Sequence, residues 1–171
     1  MKTKVLALVP ARGGSKGIPR KNMAQLSGKS LLAYTINAAK DVSAISEIVV
    51  SSDDADILQE ARNLKSTPLL RPSELATDIA TTDTVIAHFL TREDIANEDI
   101  ILLLQPTSPL RTSIDIQLAL DLFQGEGCIV SVSETVECPY KAYTLDAGGL
   151  LAPLFGKDDA FKPRQSFPVT Y

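Results

Sequence analysis

The chain has 171 residues, of which 44% are hydrophobic and 22% are charged, and its formal net charge is −4. These values are ordinary for a globular domain, and a chain of this length buries roughly 70% of its unfolded surface on folding. The acidic balance argues against nucleic-acid binding through a broad basic face, and no apolar run reaches the ~20 residues that cross a bilayer. Cys128, Cys138 and the lone His88 make neither a disulfide framework nor a His-rich metal centre. We therefore expect a cytoplasmic protein that binds neither nucleic acid nor membranes.

Short apolar runs alternate with segments of helical periodicity, a pattern typical of βαβ units in a parallel sheet. Strands are predicted over residues 5–9, 48–51, 67–70, 100–104 and 128–132. The run 100–104 is the most apolar and is predicted to be the central strand, buried on both faces. The pattern as a whole predicts a three-layer αβα fold around a mostly parallel, Rossmann-like sheet.

The helices are predicted from caps and apolar stripes. Ser30, Asp53 and Ser113 are candidate N-caps, and a further helix is predicted over residues 82–91. The residues expected to face the core from these helices are Leu32, Ile36, Ala39, Ile57, Leu58, Ala61, Leu64, Val85, Ile86, Phe89, Leu90, Ile116, Ala119, Leu120 and Phe123. His88 and Cys128 are expected to be structural, Cys128 in the core.

The end of the chain has a different character. Proline and glycine interrupt it at short intervals after residue 136, which predicts turns or a hairpin and not another βαβ unit. We therefore predict an α/β core over residues 1–135 and a turn-rich arm over residues 136–171. Such an arm has little core of its own, which permits it to serve in dimerisation.

The segment after the first predicted strand, residues 10–22, has the sequence PARGGSKGIPRKN. It lies where α/β proteins bind ligands, and its glycines, backbone N–H groups and cations can form a cradle for polyphosphate. It is not a Walker A loop, because Lys16 precedes Gly17, and it is not a dinucleotide loop, because Arg12 stands where the first glycine belongs. The alternative is a mobile, solvated basic loop.

This loop, closed by Lys21 and Asn22, resembles the signature of the acylneuraminate cytidylyltransferases, also called CMP-sialic acid synthetases. Further matches follow in the family's order and spacing at residues 50–53 (VSSD), 71–78 (RPSELATD), 104–111 (LQPTSPLR) and 163–165 (PRQ). Together these motifs span nearly the whole chain. The related 3-deoxy-manno-octulosonate cytidylyltransferases also begin with a P-A-R loop but lack the Lys-Asn pair, so the sialic acid branch fits better.

The resemblance implies a nucleotide-diphospho-sugar transferase type of fold and transfer of CMP from CTP to a sugar. The acceptor is the anomeric hydroxyl of N-acetylneuraminic acid or a related nine-carbon 2-keto acid, and pyrophosphate is released. Activation of legionaminic or pseudaminic acid, and a non-catalytic nucleotide-binding relative, are the alternatives. A simple interaction domain would bind no nucleotide.

The resemblance also implies roles for individual residues. The implied catalytic residues are Arg12, Lys21 and Arg164, since phosphoryl transfer needs an electrostatic clamp. The implied nucleotide-binding residues are Arg12, Gly13, Gly14, Ser15, Lys16, Lys21, Asn22, Arg71, Thr81 and Thr82. The implied substrate-binding residues are Gln105, Lys141 and Arg164, of which the two cations reach the active site of a neighbouring subunit in a homodimer. From the residues alone, Arg71 is equally explained as a surface charge and Gln105 as part of a turn that ends a strand.

The acidic residues give a weaker signal. Asp53, Asp54 and Asp56 resemble a metal cluster, but a cap at Asp53 followed by first-turn acids explains them better. The role of Asp78 is left open. Members of the resembled family continue to a pair of aspartates that hold Mg²⁺, whereas this sequence ends at Tyr171. We therefore expect a C-terminally truncated chain that lacks the Mg²⁺ ligands, binds CTP and turns over poorly.

Overall fold

The computed structural model describes residues 3–15, 17–135, 137–156 and 162–170. It contains two compact units, Met1–Gln124 and Gly125–Tyr171. The first unit contains, in chain order, β1 (Val5–Pro10), β2 (Gln25–Leu26), β3 (Lys29–Ser30), α1 (Leu31–Lys40), β4 (Glu47–Ser52), α2 (Ala55–Asn63), β5 (Thr67–Leu70), α3 (Thr82–Phe89), β6 (Ile100–Leu103) and α4 (Ser113–Leu122). The second unit contains β7 (Tyr143–Leu145) and β8 (Leu151–Pro153). Single turns of 3-10 helix occur at Lys21–Met23, Ser73–Leu75, Pro139–Lys141 and Arg164–Ser166.

The main sheet has four parallel strands in the order β5-β4-β1-β6. Its centre is β1, whose continuous apolar run suits a strand covered on both faces, and Leu6 and Val9 are at most 1% exposed. The prediction that residues 100–104 form the central strand is wrong. β6 lies at an edge of this sheet, pairs with β1 and is half-buried along its length. Its apolar run gave no information about which strand would have two neighbours.

Helices cover both faces of the sheet, so the predicted three-layer αβα fold is confirmed. Because side chains alternate along a strand, Ala7 and Val9 of β1 pack with residues of α1, α2 and α4 on one face. Leu6 and Leu8 pack with Phe89 of α3 on the opposite face. Because all four strands are parallel, the loops that follow β1, β4, β5 and β6 lie at one edge of the sheet, where the carboxyl ends of the strands meet.

The helix caps are partly as predicted. Ser30 accepts a hydrogen bond from the Ala33 N–H and caps α1, as the sequence indicated. The N-cap of α2 is Asp54 and not Asp53, because Asp54 has extended backbone angles and accepts from the N–H groups of its first turn. The N-cap of α4 is Thr112 and not Ser113, and Thr112 forms a capping box with Asp115.

Three further expectations are wrong. The described residues 128–132 form no strand, and Cys128 is exposed instead of lying in the core. Leu90, which was expected to face the core, is 49% exposed and lies outside α3 as its C-cap. The hairpin predicted after residue 136 is confirmed, in contrast: the second unit contains a short antiparallel hairpin, β7 with β8, together with irregular segments, and none of its described residues is buried.

Candidate functional site

A cavity of about 390 Å³ opens at the carboxyl edge of the sheet in the first unit. Its described lining consists of Pro10, Arg12, Ser15, Gly17, Lys21, Asn22, Arg71, Ala80, Thr81, Thr82, Val85, Gln105, Pro106 and Thr107. Loops after β1, β5 and β6 and the start of α3 therefore contribute to one pocket. This is the position at which open α/β sheets bind ligands. Side chains that are far apart in the sequence, from Arg12 to Gln105, are brought together here.

The basic loop after β1 is held by hydrogen bonds to the neighbouring strand and to itself. The Ala11 N–H donates to the carbonyl of Ser51 at 3.0 Å, and the Gly13 N–H donates to Asp53 Oδ1 at 3.0 Å. Asn22 is 6% exposed, and its Nδ2 donates to the Arg12 carbonyl at 2.9 Å. The Asn22 side chain thus ties the end of the loop to its start, and its carboxamide oxygen remains available to a ligand.

Arg71 is the most unusual side chain of the pocket. It directly follows β5, its N–H donates to the Ser52 carbonyl at 2.8 Å, and the residue is only 4% exposed. Its Nε and Nη2 atoms are buried without a hydrogen-bond partner. Burial lowers the pKa of this guanidinium, and the nearby Arg12 charge adds to the shift while Asp53 opposes it. A buried cation with unused donors is costly unless an acceptor-rich ligand pairs with it.

Arg12 and Lys21 add positive charge to the same pocket. The Arg12 guanidinium forms an ion pair with Asp78, with Nη2 and Oδ1 2.8 Å apart, and its side chain is one-third exposed. Asp78, whose role the sequence left open, is therefore a counter-ion of the pocket. Lys21 lies in the 3-10 turn Lys21–Met23 that closes the basic loop. Among the described lining residues there are three cations and no carboxylate, so the lining favours an anion.

The start of α3 forms another wall. Thr81 is the N-cap of this helix and accepts a hydrogen bond from the Thr84 N–H at 3.4 Å. Thr82 is the first helical residue, and both threonines line the pocket. The helix N-terminus presents backbone N–H groups and the positive end of its dipole, which suits a ligand rich in acceptors.

Gln105 lies on the loop after β6, and its side chain is exposed to the pocket. Arg111 closes this loop, because its Nη2 donates to the Gln105 carbonyl at 2.9 Å. Burial lowers the pKa of the Arg111 guanidinium, an effect that the nearby Asp115 charge opposes. The loop is therefore fixed by a side chain that sequence reasoning did not single out, although Arg111 ends the 104–111 motif.

Some predicted site residues are not among the described lining residues of the pocket. Gly13 and Gly14 belong to the basic loop but are not among the lining residues, and Lys16 lies outside the described residues. Lys141 and Arg164 belong to the second unit. The Lys141 ammonium donates to the Lys162 carbonyl and lies 5.6 Å from the centre of the Phe167 ring.

The structure also adds lining residues that the sequence prediction missed. Gly17, Pro106 and Thr107 lie inside motifs that had been recognised, so their neighbourhood was a usable signal. Val85 lies one turn after Thr81 and Thr82 on α3, and the helical period places it on the same side. Pro10 is the first residue of the recognised loop 10–22, whereas Ala80 lies outside the recognised motifs, between the 71–78 motif and Thr81.

The described part of the chain contains neither a candidate metal cluster nor a membrane-spanning helix. No group of three or more His, Cys, Asp or Glu side chains is placed to hold a metal ion there. None of the described helices is long and apolar enough to cross a membrane. Asp53, Asp54 and Asp56 are instead engaged by the basic loop and by the start of α2.

Comparison with curated proteins finds several similar relatives. An N-acylneuraminate cytidylyltransferase of Escherichia coli O18:K1:H7 is 41% identical over 138 residues, which are 79% of this chain and 32% of the relative. A CMP-N,N'-diacetyllegionaminic acid synthase of Legionella pneumophila is 38% identical over 160 residues, 91% of this chain and 69% of the relative. A pseudaminic acid cytidylyltransferase of Campylobacter jejuni is 34% identical over 123 residues, 70% and 53% of the two chains.

The lengths of the proteins differ, since this chain spans about a third of the Escherichia coli relative. Among solved structures, a CMP:2-keto-3-deoxy-manno-octonic acid synthetase complexed with CTP has a TM-score of 0.57 at 23% identity, with 70% of this chain and 46% of that chain covered. A 4-diphosphocytidyl-2C-methyl-D-erythritol synthase has a TM-score of 0.54 at 17% identity, with 70% and 54% covered. These two neighbours share the Rossmann-like fold. The model of the Cytidylyltransferase family matches residues 6–133, which include the main sheet except Val5 and every described lining residue of the pocket, and the chain belongs to the cytidylyltransferase family.

Proposed function

We propose that the protein transfers CMP from CTP to the anomeric hydroxyl of a nonulosonic acid and releases pyrophosphate. The acceptor oxygen attacks the α-phosphorus of CTP, a new phosphorus–oxygen bond forms, and the bond to the β-phosphate oxygen breaks. The observation that carries the proposal is the gathering of Arg12, Lys21 and Arg71 around one pocket whose described lining has no carboxylate. The similar relatives, which are named for sialic, legionaminic and pseudaminic acid, indicate the acceptor class.

Each site residue predicted in the first unit has a role in this proposal. Arg12 and Lys21 bind the triphosphate and offset the charge that develops on it during displacement. Arg71 and the carboxamide of Asn22 recognise the cytosine, which offers acceptors to the unused Arg71 donors and a donor to the Asn22 oxygen. Gly13, Gly14, Ser15, Lys16, Thr81 and Thr82 complete the nucleotide site, and Gln105 contacts the sugar.

The second unit supplies the remaining proposed contacts. Lys141 and Arg164 bind the carboxylate of the sugar acid and act in the active site of a neighbouring subunit of a homodimer. Arginine suits a carboxylate because its planar fork bonds both oxygens. Mg²⁺ is proposed as the cofactor that accompanies the triphosphate, and no side chain of the described lining is assigned to it. The proposed location of the reaction is the cytoplasm.

The test begins with calorimetric titration of the protein with CTP, ATP, GTP and UTP, each with and without Mg²⁺. The proposal expects CTP to bind selectively and Arg12→Ala to weaken binding. Release of pyrophosphate is then measured with N-acetylneuraminic, legionaminic and pseudaminic acid as acceptors, and 3-deoxy-manno-octulosonate serves as the negative control.

The two steps separate the alternatives. Selective CTP binding without pyrophosphate release from any acceptor, in a longer chain that also carries the Mg²⁺-binding aspartates of the family, would identify a non-catalytic nucleotide-binding relative. Absence of binding to any nucleotide would contradict the assignment of the pocket itself. Gln105→Ala should leave CTP affinity unchanged and raise the KM for the sugar acid, which separates the two halves of the site.

A further inference from the structure

The acidic start of α2 makes contacts that capping alone does not require. Asp54 is the N-cap and accepts from the N–H groups of Asp56 and Ile57 at 2.8 and 3.2 Å, so the helix start is already satisfied. Asp53 instead accepts the Gly13 N–H at 3.0 Å. Asp56 accepts from Arg20 Nη2 at 2.7 Å, and Asp54 Oδ1 lies 3.7 Å from the same nitrogen. Three carboxylates of one short segment thus engage two separate points of the basic loop.

The first point is the start of the loop, where the backbone approaches α2 very closely. A Cβ atom at Gly13 would lie 2.6 Å from Asp54 Oδ2 and 2.8 Å from Asp54 Cβ, closer than real carbon contacts. Glycine is therefore required here for close packing. Gly13 directly follows Arg12, so this junction fixes the backbone from which the Arg12 guanidinium reaches the pocket.

The second point is the end of the loop. Arg20 has a left-handed backbone with φ of 50°, which is uncommon for a residue other than glycine. It is the N-cap of the 3-10 turn Lys21–Met23, so its conformation directs the chain into the turn that presents Lys21 and Asn22. The hydrogen bond with Asp56, followed by the charges of Asp54 and Asp56, raises the pKa of the Arg20 guanidinium. Arg20 is not among the described lining residues of the pocket, unlike Arg12 and Lys21.

We propose that the acidic start of α2 positions the nucleotide site by holding the basic loop at both ends, through Asp53 and Asp54 at Gly13 and through Asp54 and Asp56 at Arg20. The inference rests on the proposed function, since it assigns Arg12 and Lys21 to the triphosphate. Asp53, Asp54, Asp56 and Arg20 are positioning residues that do not touch the nucleotide. The aspartates that resemble a metal cluster in the sequence therefore act on the site through the loop.

The proposal makes a prediction whose sign is opposite to that of simple electrostatics. Asp56→Asn removes a negative charge near an anion site, and Coulomb attraction alone would then tighten CTP binding. CTP binding would also tighten if Arg20 bound phosphate directly, because the substitution would release the Arg20 guanidinium from Asp56. If Asp56 positions the loop, the dissociation constant for CTP rises by about two- to fivefold, the range that an exposed ion pair supports.

The experiment measures CTP and CMP affinity by calorimetry, together with Tm, for Asp56→Asn, Asp56→Glu, Arg20→Asn and the Arg20→Asn, Asp56→Asn double variant. Asparagine is chosen at Arg20 because it tolerates a left-handed backbone. Glu60→Gln and Arg62→Gln, on the same helix and away from the loop, are the charge-matched controls. We expect both single variants to weaken CTP more than CMP, the double variant to match the singles, and Asp56→Glu to restore much of the affinity.

The outcomes separate this inference from the proposed function. Tighter or unchanged CTP binding in Asp56→Asn, with the unaltered protein binding CTP, would overturn the positioning role alone. A loss of CTP affinity accompanied by an equal loss of CMP affinity and a lowered Tm would also overturn it, since that pattern indicates general damage. Absence of CTP binding by the unaltered protein would overturn the proposed function and this inference together. If Asp56→Asn does not fold, Arg20→Asn tests the same pair from the loop side.

Discussion

The two compact units bury apolar surface to very different extents. In Met1–Gln124, twelve buried residues of β1, β4, α1, α2, α4 and adjoining loops form one core cluster, and Phe89 belongs to a second cluster on the opposite face of the sheet. In Gly125–Tyr171, none of the described residues is buried, and large apolar side chains such as Leu145 and Leu151 are about 70% exposed. The first unit therefore has the packing that holds a preformed pocket by itself, and the second unit does not.

The largest expected effect tests this difference with one aromatic truncation in each unit. Phe89 is fully buried, and Phe89→Ala should lower the free energy of unfolding by about 3–5 kcal/mol through lost burial and the cavity left behind. Phe155 is 45% exposed and its ring is 5.4 Å from that of Tyr140, so Phe155→Ala should cost about 1 kcal/mol. Urea unfolding followed by circular dichroism measures both. Equal losses of unfolding free energy in the two variants would contradict the difference in packing between the units.

A second prediction concerns which unit recognises the nucleotide. Arg71→Met replaces a buried cation, whose Nε and Nη2 lack partners, by an apolar side chain of similar length. We expect CTP affinity to fall at least about tenfold, the effect of losing hydrogen bonds from a charged group. The Tm of the ligand-free protein should rise, since an unpaired buried charge is removed.

The matched variant in the second unit is Lys141→Met. It also exchanges a cation for methionine, and it should leave the dissociation constant for CTP unchanged while it raises the KM for the sugar acid. Calorimetry and steady-state kinetics measure the two effects. A tenfold loss of CTP affinity in Lys141→Met would show that nucleotide binding is not confined to the first unit.

The sequence predicted the architecture of the first unit because its signals were local. The continuous apolar run of β1, the cap Ser30 and the alternation of strands with helices follow from neighbouring residues alone. The strand order does not follow from neighbouring residues. β6 and β1 have similar apolar runs and differ in how many strands pair with each. The caps Asp54 and Thr112 were misassigned by one residue, since adjacent Asp-Asp and Thr-Ser pairs offer two equally good candidates.

The part of the site that could be predicted consists of residues in motifs that follow a strand. Arg12, Arg71 and Gln105 each come directly after or close to a strand of the parallel sheet, so their convergence followed from the fold class. The Asp78 ion pair and the contacts of Asp53 and Asp56 with the basic loop did not follow, because they depend on distances between loops that periodicity does not encode. The strand expected at residues 128–132 was predicted from their apolar content. In the structure these residues are exposed and form no strand.

A third prediction tests whether the close packing of the first unit extends into its basic loop. Gly13→Ala places a Cβ atom 2.6 Å from Asp54 Oδ2 and should lower the free energy of unfolding by about 1–3 kcal/mol, as overpacking does. CTP affinity should fall as well, because the start of the loop shifts. Thermal unfolding and calorimetry measure the two losses.

Two further variants control this prediction. Gly14→Ala should be close to neutral in stability, since a Cβ atom there meets nothing within 4 Å. Asp54→Gly in the Gly13→Ala background should recover part of the loss, because it removes the opposing side chain and glycine is an acceptable N-cap. No recovery would place the strain somewhere other than the junction with α2.

The smallest expected effect on CTP affinity concerns the partner that a pocket cation has in the ligand-free protein. In the first unit the Arg12 guanidinium is paired with the Asp78 carboxylate at 2.8 Å, whereas in the second unit the Lys141 ammonium lies over the ring of Phe167. A triphosphate must compete with the Asp78 carboxylate for the Arg12 guanidinium. Asp78→Asn should therefore tighten CTP binding by about two- to fivefold, the range for a part-exposed ion pair.

The change should shrink as salt is added, since the charges involved are accessible to counter-ions. Asp121→Asn on α4, which removes the same charge from an exposed position, is the control and should leave CTP affinity unchanged. Calorimetry at low and high ionic strength measures both variants. If Asp78→Asn instead weakens CTP binding, Asp78 orients Arg12 toward the phosphates and does not compete with them. The pocket would then depend on carboxylates on both sides of its basic loop, Asp78 at Arg12 and Asp56 at Arg20.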